Sequence, residues 1–142
     1  MRSIALLLLA PVAAFAQLSP NGATASFKGS LPPKPTAALS ADQEGGIETR
    51  LKQLTTDFAA LKKHPRAADA EIFLKALRYT LEFDEWYDKK PEDSLKKANA
   101  LLEEAAKRID GLKKNQTPWL EGSGQKGLGF YSKLDDSAQP YG

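Results

Sequence analysis

The side chains whose type best suits chemistry are the carboxylates of Asp84, Glu85 and Asp88, because two closely held carboxylates can divide general-acid and general-base work. Asp84 and Asp88 are one helical turn apart, and on a helix they fall among Phe73, Leu77 and Leu81, inside an apolar arc, whereas Glu71, Arg78, Glu82 and Glu85 form the polar side. Two arrangements accommodate that. Either a Lys or Arg from a neighbouring element pairs with a partly buried acid, or the helix is already fraying and both acids reach water. Fraying is the favoured reading, and a helix end without a pocket is weak support for catalysis. His64 is the only histidine and stands beside Pro65 at a helix end, where a basic side chain favours the negative end of the helix dipole. With no second histidine and no cysteine, a transition-metal site is not expected. Gly122-Ser123-Gly124 fails as a nucleophile elbow, because Glu121 occupies the position that needs glycine. The glycines from Gly122 to Gly129 neither follow a strand nor open a helix, so a phosphate-cradling loop is unsupported. The two tryptophans and four tyrosines could form a ligand platform, although aromatics at helical spacing more commonly build a core. No catalytic residue, metal ligand or cofactor-binding residue is assigned.

The element that must position these groups is Ala70 to Tyr87. On a helical wheel Ile72, Ala76, Tyr79, Thr80, Phe83, Trp86 and Tyr87 share one side, widened by Phe73 and Leu77, so this helix should be covered by more than one neighbour. It begins near Ala67 to Asp69, with Asp69 either its cap or a first-turn acid. Before it, Ile47, Leu51, Leu54, Phe58 and Leu61 form a narrow seam on a helix from about Glu44 to Lys63. Gly45-Gly46 weakens its start, which could shift to Ile47, and Pro65 ends it. After the turn Asp88-Lys89-Lys90, Pro91-Glu92-Asp93 opens a third helix. Its stripe is Leu95, Ala98, Leu101, Leu102, Ala105, Ala106, Ile109 and Leu112, with Lys96, Lys97, Glu103, Glu104, Lys107, Arg108 and Asp110 outside. Glu103 to Lys107 and Glu104 to Arg108 have the favourable order for helix-surface pairs, and Lys113-Lys114-Asn115 closes the helix. Asn115-Gln116-Thr117 matches a glycan acceptor but precedes Pro118 and is read as a loop.

The chain of 142 residues can hold one domain at most, and not all of it is available for a core. Met1–Ala16 has the form of a secretory signal, with Arg2 before an apolar run and Ala14-Phe15-Ala16 as a cleavage pattern; the run is too short for a spanning helix and Pro11 interrupts it. The protein is therefore expected to be exported, periplasmic or extracellular, with no stable membrane span after cleavage. Removing that segment takes away Arg2 and no acid, leaving 19 basic against 18 acidic residues, a net charge of +1. Interleaved charges of that balance argue against a nucleic-acid partner. Residues 17–43, with Pro20, Pro32, Pro33 and Pro35, read as a Pro/Gly/Ser/Ala-rich leader, and residues 44–117 as a three-helix region. Residues 118–142 read as a loop and a β-hairpin in which Leu128, Phe130, Tyr131 and Leu134 lead to the turn Asp135-Asp136-Ser137, and the return strand stops almost as it starts. A lone hairpin is marginal in water and needs more sheet or a helix to rest on. The fold class is mainly α: three amphipathic helices followed by a short, incomplete hairpin.

The central aromatic helix, the Lys- and Leu-rich helix after it, Pro118-Trp119, and above all Gly129-Phe130-Tyr131-Ser132-Lys133-Leu134-Asp135-Asp136-Ser137-Ala138-Gln139-Pro140-Tyr141-Gly142 carry a resemblance. From about Ala67 onward the chain resembles the N-terminal region of secreted bacterial, planctomycete-type α/β-hydrolases of the prolyl-oligopeptidase and esterase group. There the hairpin has the form G-x-x-S-x-x-D-x-S-x-Q-P-Y-G, matched by Gly129, Ser132, Asp135, Ser137, Gln139, Pro140, Tyr141 and Gly142. Asp136 stands where the family often has glycine. The resemblance implies a segment inactive alone that packs against a downstream catalytic domain, whose serine, acid and histidine lie beyond Gly142. Phe73, Leu77, Phe83, Trp86, Trp119, Phe130, Tyr131 and Tyr141 are the candidate contacts to that domain. The alternatives are a free-standing periplasmic helical binding or adaptor protein, using the central helix on a protein partner, and an enzyme using Asp84, Glu85 or Asp88.

Overall fold

The computed structural model describes residues 38–142; the signal segment Met1–Ala16 and the leader as far as residue 37 lie outside the described residues. The architecture is mainly α, with helices α1 (Ala41–Ala59), α2 (Ala67–Glu82) and α3 (Pro91–Lys113), a 3-10 turn at Pro118–Leu120, and an antiparallel pair β1 (Leu128–Tyr131) and β2 (Ala138–Tyr141).

Helix α1 starts earlier than its glycines suggest. Ser40 and Gln43 form a reciprocal cap, each side chain accepting the other's backbone N–H, at 3.3 and 3.0 Å. A cap of this kind contributes about 1 kcal/mol, which offsets much of the cost of Gly45-Gly46 and carries the start to Ala41 rather than Glu44 or Ile47. Leu39, just before the cap, is buried in the core and fixes the angle of entry. The helix also ends earlier, at Ala59 instead of Lys63, because the chain reverses through successive i to i+3 bonds, Leu61 to Phe58, His64 to Leu61 and Ala67 to His64. That tight reversal brings Ala67 into the core as the first residue of α2.

Helix α2 stops at Glu82, four residues before Trp86. Asp84 adopts a left-handed conformation with φ of 52°, and the Glu85 N–H reaches back to the Thr80 carbonyl at 2.9 Å, the six-to-one bond of a Schellman ending. The expected wheel therefore breaks. Trp86 reaches the core from a loop, buried and donating its indole N–H to Glu44 at 3.2 Å, while Tyr79, Phe83 and Tyr87 stay exposed. Helix α3 runs as expected from Pro91 and ends in a second Schellman turn, with Asn115 left-handed and Gln116 N–H bonded to Gly111.

Helix α2 packs against α1, α3 and both strands. Its Ala67, Ala70, Leu74 and Leu77 meet Ile47, Leu51, Leu54 and Phe58 of α1 and Ala98, Leu102, Ala105, Ile109 and Leu112 of α3 in the main core. Its Ala68 and Ile72 meet Ala138 of β2 in a smaller cluster beneath the hairpin.

The hairpin is short: Leu128 to Tyr131 pair residue for residue with Tyr141 to Ala138. At the Gly129–Pro140 pair the proline has no N–H to give and the Gly129 N–H is turned to a side chain of α2, so neither is spent on the ladder. The connecting turn is held by Asp136 N–H to Ser132 O, by the Ser132 hydroxyl accepting from Leu134 N–H, and by Asp135 accepting from the Ser137 N–H and hydroxyl. Hydrogen bonds from Ser132 and Ser137 hold the Asp135 carboxyl below the usual carboxylate range. Asp136 has φ of 53°, a conformation that glycine adopts freely and aspartate tolerates.

Candidate functional site

The hairpin is fastened to the helices by two charged hubs. Asp69, in the first turn of α2, is fully buried, and its carboxylate accepts the Gly129 N–H at 2.8 Å and the Trp119 indole N–H at 3.0 Å. Arg66 lies 2.6 Å from the same carboxylate oxygen as Trp119, an ion pair by distance without aligned hydrogen-bond geometry. Arg108, on α3, donates from Nη1 to the carbonyls of Asp69 (2.9 Å) and Gly127 (2.6 Å) and from Nε to Glu104 (2.7 Å). Its guanidinium lies between the rings of Phe73 and Trp119, 4.5 and 5.4 Å from their centroids. Arg108 is thus buried, not on the solvent face of α3, while its expected pairing with Glu104 is present. Both hubs spend their hydrogen bonds on the Gly129 N–H, the Trp119 indole and the carbonyls of Asp69 and Gly127, so they position backbone at the joint of helix and hairpin.

Two glycines allow this approach. A methyl on Gly129 would come within 2.2 Å of the Ala68 carbonyl oxygen, and one on Gly111 within 2.8 Å of the Trp119 ring. Further along α2, Lys75 Nζ donates to Ala138 O at 2.8 Å, and Glu71 accepts the Tyr131 hydroxyl at 2.7 Å. Burial and the Glu71 carboxylate push the Tyr131 phenol well above its usual range, so it stays a protonated donor.

With Gly129, Tyr131, Ala138 and Pro140 turned to the helices, strand alternation turns Leu128, Phe130, Gln139 and Tyr141 outward. Phe130 is 50% and Tyr141 46% exposed, with ring centroids 6.1 Å apart, and Leu134 at the turn is 98% exposed. The candidate contacts thus divide. Phe83, Phe130 and Tyr141 are open to solvent; Leu77 and Trp86 are core; Phe73, Trp119 and Tyr131 are half-buried within the fastening. Leu77 and Trp86 are covered by this chain's own core.

The carboxylates expected near the end of the central helix do not form a pair facing one site. Asp84 is the exposed residue that terminates α2, and Asp88 is tied to α3 by the Ser94 hydroxyl at 3.1 Å and by Lys97. The Lys97 and Ser94 bonds hold the Asp88 carboxyl below its usual range. His64 takes the Arg66 N–H on Nδ1 and faces Asn115 with Nε2, a turn-closing role. An open groove of about 540 Å³ lies between α1 and α2, with Leu51 and Leu74 flanked by Thr55, Glu48, Lys52 and Arg78. Among the described residues no group of three or more His, Cys, Asp or Glu could hold a metal ion, and no helix is long and apolar enough to cross a membrane.

The sequence places Asp69 as a cap or first-turn acid and Arg108 on the solvent face beside Glu104, because the partners that bury them are remote along the chain. Compared with known proteins, the chain matches no family model, no curated protein and no solved structure.

Proposed function

We propose that this chain is a non-catalytic helical segment of an exported α/β-hydrolase of the esterase or serine-peptidase class, which packs against the catalytic domain and positions it through the outer face of its hairpin. The observation that carries the reading is the asymmetry of that hairpin. Its inner face is bolted to α2 by Asp69, Lys75 and Glu71, while its outer face offers Phe130 and Tyr141 to solvent. Aromatic pairs left outside a fold in this way are the usual anchors of a protein interface. The family-like residues support it further. Gly129 is required by the Ala68 carbonyl, Ser132, Asp135 and Ser137 hold the turn, and Gln139 donates to Ser137 at 2.7 Å, whereas the matched Tyr141 lies beside Phe130 on the outer face and is turned to solvent. Export rests on the Met1–Ala16 pattern.

The test begins with the genomic DNA beyond codon 142. The reading expects a hydrolase domain containing G-x-S-x-G, in the same frame or one restored by a single-base shift. That domain, expressed separately, should co-elute with this chain, and a Phe130→Ser, Tyr141→Ser double variant should lose the association. Absence of such a coding region, or undiminished binding by the double variant, would refute the proposal. A second reading, a free-standing exported binding protein, is favoured by one feature: Leu77 and Trp86 are sealed by the chain's own atoms. It expects cooperative unfolding of the isolated chain and no affinity for the hydrolase domain.

A further inference from the structure

The loop between the Trp119 anchor and β1 is held by an unusual contact. Lys126 Nζ donates to three successive carbonyls, Leu120 O at 2.6 Å, Glu121 O at 2.7 Å and Gly122 O at 2.8 Å. An ammonium has three N–H donors, and all three are used. The backbone is able to converge because Gly122 has φ of 77° and Gly124 φ of 117°, conformations that side-chain-bearing residues rarely adopt. Residues from Glu121 to Gln125 are exposed, so no packing of their own orders them. Yet both ends of the loop are fixed, Trp119 to Asp69 and Gly127 to Arg108.

We propose that Leu120, Glu121 and Gly122 form a carbonyl cradle for a primary-ammonium-class cation, occupied in this chain by its own Lys126, and that this self-occupied site closes the loop and sets the entry into β1. Three converging carbonyl oxygens repel one another unless a cation sits among them, so the loop conformation and the charge at position 126 depend on each other. The cradle does not depend on the hydrolase reading.

The test uses the full chain with limited proteolysis by a Glu-specific protease, scoring cleavage after Glu121 by mass spectrometry. Lys126→Met removes the cation but keeps the length of the side chain, and should raise that cleavage rate by about tenfold, the order expected when charge-assisted hydrogen bonds are lost. Ammonium or methylammonium chloride should slow the cleavage of the variant again. Tetramethylammonium chloride at equal concentration, which has no N–H donor, should not. Cleavage of an unrelated peptide in each salt corrects for effects on the protease. A Lys126→Met chain cut no faster than the parent, or equal behaviour in the two kinds of salt, would overturn the proposal.

Discussion

Asp69 has a small side chain with a large responsibility. Two donors from remote parts of the chain meet on its carboxylate and Arg66 lies beside it as an ion pair, so truncation leaves the Gly129 N–H and the Trp119 indole N–H without their acceptor and Arg66 without its counter-charge at once. Breaking a buried charged cluster from one side costs about 3 to 5 kcal/mol. Asp69→Ala should therefore lower the unfolding free energy by about 3 kcal/mol, with Gly129 losing its protection from amide hydrogen exchange more than Leu102 in the main core. Equal loss of protection at the two residues would argue against a local fastening. Gly129→Ala attacks the same joint from the other side. The added methyl meets a backbone oxygen that cannot swing away, so the strand must lift from α2, at a cost of about 1 to 3 kcal/mol by chemical denaturation. A substitution of Gly45, whose added methyl would meet nothing, gives the control.

At the level of elements, the ends of the helices decide more than their middles. The apolar periodicity of α1 and α3 was legible, and the seam of Ile47, Leu51, Leu54 and Phe58 is buried as its spacing implies. The wheel drawn through Tyr87 overruns the central helix, because the left-handed Asp84 interrupts a pattern that looks continuous in one dimension, while Asp84 itself is exposed as the fraying reading expects. Glycine takes that conformation without the Cβ penalty, so Asp84→Gly should stabilise the protein, by about 0.5 to 1 kcal/mol in denaturant unfolding. The link from α2 to α3 carries a pH signature. Asp88 has a folded pKa below its unfolded value, held there by Lys97 and Ser94, so its contribution is present above the unfolded carboxylate range and is lost as pH falls through the folded pKa. Acid titration below about pH 4 should therefore destabilise the parent more steeply than Asp88→Asn, measured as the dependence of melting temperature on pH.

For the molecule as a whole, the class of fold could be read from hydropathy, and the hairpin from its turn residues, because both depend on neighbours along the chain. The fastening could not. Asp69 and Gly129 are separated by 60 positions, and nothing local distinguishes an aspartate that will cap a helix from one that will hold a strand. The same limit applies to Arg108, which continues the charged face of α3 by type yet is buried by the arrival of Gly127 and Trp119. The central helix is covered in part by this chain's own elements. Leu77 and Trp86 are covered, Phe83 is not, and the exposed aromatic surface lies chiefly on the hairpin and the last turn of α2.

The two tryptophans make an unplanned pair of optical gauges. Trp86 donates to Glu44 and watches the junction of α1 with the loop after α2, whereas Trp119 donates to Asp69 and watches the seat of the hairpin. Replacing either with phenylalanine leaves a single emitter, so separate colour shifts during a melt can report which junction parts first.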